Sequence, residues 1–182
     1  MKNKFPTNKL VYMALMMSLS IVLTRILSLR IPFYGVESIR IGFGGLPIIL
    51  AGITMGPLAG GIVGALADLL GFWINPVGAY MPHFTITAFL TGFIPGIIFL
   101  YFFRGKNNYL SLLLSIAPGQ IITSIILVPY FINTLFGAPL TPILIPRIIG
   151  EPISIILYVY FINTFLEYDL LDINKKVDTI NS

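Results

Sequence analysis

Charge is fenced off along this chain: the runs 10–24, 41–67, 69–103, 107–146 and 152–166 contain no Asp, Glu, Lys or Arg. A helix needs roughly 20 apolar residues to cross a hydrocarbon layer about 30 Å thick, so runs of this kind point to lipid. With 57% hydrophobic residues, 10% charged residues and a mean hydropathy of +0.94, the chain has more apolar surface than a soluble domain can hide. It reads as an integral membrane protein.

The longest runs exceed one crossing and divide at their breakers, GP at 56–57, WINPVGAYMP at 73–82 and NTLFGAPLTP at 133–142. The expected architecture is an all-α membrane protein of one domain, 1–182, with six transmembrane helices over about 8–29, 38–55, 57–72, 84–103, 109–131 and 143–165. Met1 to Lys9 resembles the basic start of a signal peptide. No small-residue cleavage site follows the apolar stretch, so the first segment is expected to remain as a span. The absence of cysteine excludes disulfides and thiolate metal sites.

Six spans put both termini on one side. Lys2, Lys4, Lys9, Lys106, Lys175 and Lys176 all fall there, which the positive-inside rule makes cytoplasmic. The arginines behave differently: Arg104 is cytoplasmic, while Arg25, Arg30, Arg40 and Arg147 lie at or near the outer ends of their spans. A planar fork of donors suits a carboxylate or phosphate better than an ammonium does, so this bias suggests an outward-facing cavity for an anion. Snorkelling to headgroups, or pairing with Glu37 and Glu151, is the structural alternative.

Along the third span, Gly56, Gly60, Gly64, Ala67 and Gly71 fall within roughly 40° of one line, a face with almost no side chains. Such a stripe lets another helix backbone approach closely. Asp68 sits at its edge, roughly 16 Å above the start of the helix, where an unpaired carboxylate costs at least a few kcal/mol. Arg147 and Glu151, a turn apart in span six, are its expected company, and a ligand donor is a further possibility. The WINPVGAYMPHF segment carries the sole Trp and His, Trp73 and His83, with Asn75, Tyr80 and Phe84. Its aromatics suit either an interfacial belt or a lid that stacks a flat ring and hydrogen-bonds its edges.

No GxxxxGK[ST] phosphate loop is present, since RGKN at 104–107 lacks the hydroxyl residue, and no GxSxG or HExxH constellation appears. The chain reads as a binder or carrier, not an enzyme, with no cofactor, no metal site and no nucleic-acid partner, energised from outside. Ala14 and Ser18, four apart in span one, offer a small-residue surface to receive that energy.

The run RIGFGGLPIILAGITMGPLAGGIVGALADLLGFWINPVGAYMPHFTITAFLTGFIPG, residues 40–96, resembles the folate-specific S components of the energy-coupling factor (ECF) class of ABC vitamin transporters. The likeness extends more loosely over the whole chain. It implies a multi-pass protein of the bacterial cell membrane that binds folate with high affinity and topples to carry it inward. A shared transmembrane coupling protein and two cytoplasmic ABC ATPases are the implied partners. The family's docking motif AxxxA reads here as Ala14-x-x-x-Ser18, a departure at its second place.

A folate ligand also suits the residues. Its glutamate tail offers carboxylates to Arg25, Arg30, Arg40 or Arg147, with Arg25 and Arg147 best placed. Its pterin offers an amino-amide edge to Asp68 first, or Glu151 second. Phe43, Trp73, Asn75, His83 and Phe84 complete the candidate set. Two alternatives stay open: another flat heterocycle, such as thiamin or a queuosine precursor, or a helix-packing subunit whose Asp68, Arg147 and Glu151 form a buried ion network.

Overall fold

The computed structural model describes residues 7–25, 29–33, 36–76 and 80–167; for Arg25 and the two strands only the backbone course is described. Helix α1 runs Thr7–Arg25, and two antiparallel strands, β1 (Leu29–Phe33) and β2 (Val36–Ile41), follow it. Next come α2 (Gly45–Met55), α3 (Pro57–Ile74) and α4 (Pro82–Ile97), the last prolonged by a π-helical turn over Ile98–Phe102. Helix α5 (Tyr109–Gln120) passes through a second π-helical stretch, Ile121–Leu127, into α6 (Val128–Phe136), and α7 spans Leu140–Glu167. Thr7–Thr24, Pro57–Ile74, Pro82–Phe102, Tyr109–Phe136 and Leu140–Glu167 are long and apolar enough to cross a membrane, with α2 a shorter apolar helix between them.

Helix α2 is where the sequence reading needs correction. The span expected from residue 38 is helical only from Gly45, because β2 occupies Val36–Ile41. Eleven helical residues cover about 16 Å, roughly half of a hydrocarbon layer. Non-helical backbone is tolerated at membrane depth only where protein satisfies its polar groups. That requirement is met here. The strands pair with each other, Tyr158 Oη on α7 donates to the Gly42 carbonyl at 2.6 Å, and the buried Ser20 hydroxyl on α1 donates to the Gly44 carbonyl at 2.8 Å.

Each break has a local cause. Gly56 adopts φ +98°, a conformation side chains rarely accept, and Pro57 opens α3, which fixes φ and lacks the N–H that a first turn leaves unpaired. At Gly137, φ +64° ends α6, and the side-chain amide of Asn133 donates to the Ala138 carbonyl at 2.8 Å. Pro95 and Pro118 each stand three residues before a π-helical stretch, where a missing N–H loosens the ladder.

Helix α2 is buried along Leu46–Met55 and lies at the centre. One of its faces packs with Leu112, Ile116, Val159 and Ile162 of α5 and α7, the other with Met13 of α1 and Ala59 and Val63 of α3. Helix α3 packs most extensively on α4, and the glycine stripe forms that contact. A Cβ on Gly60 would run into Gly52 and the Gly92 carbonyl, and one on Gly64 into the Ala88 carbonyl. The stripe therefore serves close backbone packing.

A candidate ligand site on α7

Arg147 and Glu151 lie four residues apart on α7, on one face, between Pro146 and Pro152. Both prolines remove an N–H from the helical ladder, although α7 stays α-helical through them. Ser124, in the π-helical stretch between α5 and α6, meets Arg147. Its carbonyl accepts a hydrogen bond from Arg147 Nη1 at 3.2 Å. Arg147 Nε is buried and has no hydrogen-bond partner among the described residues. A buried donor left unpaired costs about 1–3 kcal/mol, more on a charged group, and a charge at this depth is expensive already. The arrangement therefore holds an unsatisfied N–H beside a carboxylate.

Asp68 is placed otherwise than expected. Thr85 Oγ1 on α4 donates to its Oδ2 at 2.7 Å, and Tyr80 Oη stands 2.9 Å from the same Thr85 oxygen. Because the threonine proton is directed to Asp68, the tyrosine donates to Thr85, giving a chain Tyr80 to Thr85 to Asp68. The Tyr80 ring also packs against Phe72, centroids 5.3 Å apart. Beside the chain, Ala65, Tyr80, Pro82, Thr85, Ile86 and Phe89 line a shallow open groove of about 320 Å³. Helix α3 packs against α4, α2 and α1, whereas α7 packs against β2, α5 and α6 with the wide stretch before it. Asp68 is thus joined to α4, and the company expected for it on α7 is not what holds it.

The remaining predicted residues divide. Arg30 and Arg40 are direct cross-strand partners of the hairpin, which puts both positions on one of its faces; the side chains of Arg25, Arg30 and Arg40 lie outside the described residues. Phe43 packs edge-on to Phe161, centroids 6.1 Å apart, beside the core cluster around Leu50. His83 packs against Phe131 of α6 at 4.9 Å, and the Phe84 carbonyl accepts from Thr87. Trp73 is 78% exposed at the end of α3, and Asn75 caps that helix through its backbone N–H to Gly71. Ala14 and Ser18 are both exposed on α1, and the Ser18 hydroxyl donates to the Ala14 carbonyl at 2.8 Å, which leaves that face smooth. No group of three His, Cys, Asp or Glu able to hold a metal occurs among the described residues.

Ser124 and Thr85 escaped the sequence reading. Both are uncharged hydroxyl residues in long apolar runs, and nothing in their spacing separates them from Ser115 or Thr123, whose hydroxyls bond to their own helix one turn back. One signal was available: Pro118 foretold a disturbed helix next to Ser124.

Five long apolar helices around a short central one define a multi-pass helical membrane protein. The chain belongs to the S-component family of ECF-type transporters: the family described as "ECF-type riboflavin transporter, S component" matches residues 4–166. It is accordingly a protein of the bacterial cell membrane. A curated relative, "Folate transporter FolT" of Clostridium novyi (strain NT), is 34% identical over 175 residues, 96% of this chain and 97% of its own length. The solved structure described as "Crystal structure of FolT bound with folic acid" superposes with a TM-score of 0.73 at 29% identity, covering 88% of this chain and 96% of that one. An S component for biotin shares the fold, with a TM-score of 0.66 at 22% identity over 92% of this chain and 95% of that one.

Proposed function

We propose that this chain is the folate-binding subunit of an ECF importer. It captures folate on the outer side with its termini in the cytoplasm, and a coupling membrane protein driven by two ATPases energises its delivery. The observation that carries this reading is the near full-length likeness to a folate transporter, 34% over 96% of the chain, alongside a shared fold with a FolT solved with folic acid.

The residues give that ligand a chemistry. Folate joins a flat pterin to a dianionic glutamate tail. Like charges at directly opposed strand positions disfavour one another unless an anion is shared, so the Arg30 and Arg40 register suits the tail's carboxylates. The Arg147 and Glu151 pair supplies a donor and an acceptor for the ring. With no phosphate loop of its own, the chain acts as a carrier and leaves ATP hydrolysis to its partners. The exposed Ala14 and Ser18 face of α1 is the surface we assign to docking.

Calorimetry on the purified chain in detergent tests this directly: one folate bound per chain, without ATP, is the expected result. Absence of binding to any pterin defeats the reading. Riboflavin is the second candidate, favoured by the description of the matching family. A thermal-shift comparison of folate, riboflavin and thiamin at low concentration separates them, because only a tightly held ligand stabilises strongly when dilute.

A further inference from the structure

Glycines between α2, α3 and α4 stand where a Cβ would strike a neighbouring backbone, and Gly56, Gly105 and Gly137 adopt positive φ. Gly150 has neither reason. It sits inside α7 with ordinary helical backbone, and a Cβ built on it would meet nothing within 4 Å. Alanine suits such a position better than glycine, which gives up the most backbone freedom on entering a helix. The open space borders the inward side of α7. Of the neighbours one turn away, Pro146 and Ser154 are buried and Arg147 is half-buried, while Ile153 is exposed. The Ser154 hydroxyl donates to the Gly150 carbonyl at 3.1 Å. A helical side chain leans toward the N-terminus and covers the turn before its own Cα. A side chain at 150 would therefore lie across Arg147, whose buried Nε–H has no partner among the described residues.

We propose, on the basis of the folate-binding reading above, that Gly150 is a specificity-determining clearance position: the flat ring of the ligand lies face-on against the α7 backbone there, with a ring carbonyl toward the Arg147 Nε–H. A pterin is comparable in width to one helical turn of about 5.4 Å, so a ring on that patch reaches from Gly150 to the guanidinium. Its 4-oxo oxygen then accepts the hydrogen bond that the protein leaves unmade. Acyl chains in the same space would leave that donor unpaired, which is costly at this depth. The glycine thus gives up helix stability for room beside a charged donor.

Calorimetry on the full chain in detergent tests the assignment with two ligands, folate and pteroate, which keeps the pterin and lacks the glutamate tail. Melting temperatures are taken without ligand. Gly150→Ala is expected to leave the unliganded melting temperature unchanged or to raise it by up to about 4 °C, while weakening folate about tenfold. Gly150→Leu, whose side chain crosses the whole patch, weakens folate at least about 100-fold. Pteroate loses the same factors, because the ring is what is displaced. Weaker binding by a protein that is no less stable is a result that a packing role does not give, and the alanine variant decides alone if the leucine variant fails to fold. Unchanged folate affinity in Gly150→Ala and Gly150→Leu overturns the assignment and leaves the folate reading standing. Unchanged affinity with reduced uptake by the assembled complex overturns it too and gives the open space to a partner helix. A loss seen with folate and not with pteroate overturns the ring placement. A wild type that binds riboflavin and not folate overturns both readings.

Discussion

Two halves of the bundle meet at α2 and meet the demands of lipid by different means. Between α2, α3 and α4 the backbones touch. Gly52, Gly60, Gly64, Gly92 and Gly96 each stand where a Cβ would strike a neighbouring carbonyl or Cα, and the hydroxyls of Thr54, Thr87 and Thr91 bond to carbonyls of their own helix. Between α5, α6 and α7 the helices contain prolines and a π-helical stretch, a carbonyl meets a neighbouring arginine, and one buried donor has no partner among the described residues. Contacts made by backbone alone leave a helix pair little freedom to shift. The side that keeps an unmatched donor has something left to offer a ligand. We propose that the contrast separates a close-packed frame from a binding wall within one small membrane protein.

The frame is broken most completely by bulk at its closest approach. Gly60→Leu forces side-chain carbon into Gly52 and Gly92, and an overpacking cost of about 3 kcal/mol or more is expected, seen as loss of monodisperse protein on size-exclusion chromatography. Normal recovery would show that α3 and α4 can slide apart. On the opposite wall, Arg147→Gln keeps a polar group but removes the charge; folate affinity is expected to fall about 10- to 100-fold while the unliganded protein still folds.

Asp68→Asn sharpens the comparison from the frame side. Asparagine still offers an acceptor to Thr85, so stability should drop by about 1 kcal/mol or less, and folate affinity by less than about fivefold. A loss as large as that of Arg147→Gln would move Asp68 into the ligand site. The smallest effect is expected on α1, where Ser18→Ala completes the AxxxA pattern. It removes one hydrogen bond within the helix, shifts stability by about 0.5 kcal/mol or less, and leaves folate uptake by the assembled complex undiminished. Reduced uptake would show that the hydroxyl itself contributes to docking.

Membrane residence, the helical class and the main breaks were legible in the sequence, because hydrocarbon leaves an isolated segment few ways to satisfy its backbone. Gly56–Pro57 and Gly137 stand where they do for reasons that a single helix already contains. The glycine stripe announced a close contact as well, since small residues at helical spacing have few other uses in lipid.

Which polar residue meets which was decided only by packing between elements. Asp68 looked like company for Arg147 and Glu151 on the basis of depth, yet it faces Thr85, while the backbone carbonyl of Ser124, which no charge or motif marks, came to meet Arg147. The short α2 and the hairpin that continues it follow the same logic. Irregular backbone persists at that depth because Tyr158, 116 residues away in the chain, and Ser20 supply the hydrogen bonds that lipid cannot. Periodicity along one segment fixes which face a residue occupies; the partner across from it depends on how two helices are rotated and offset, which is settled only when they pack.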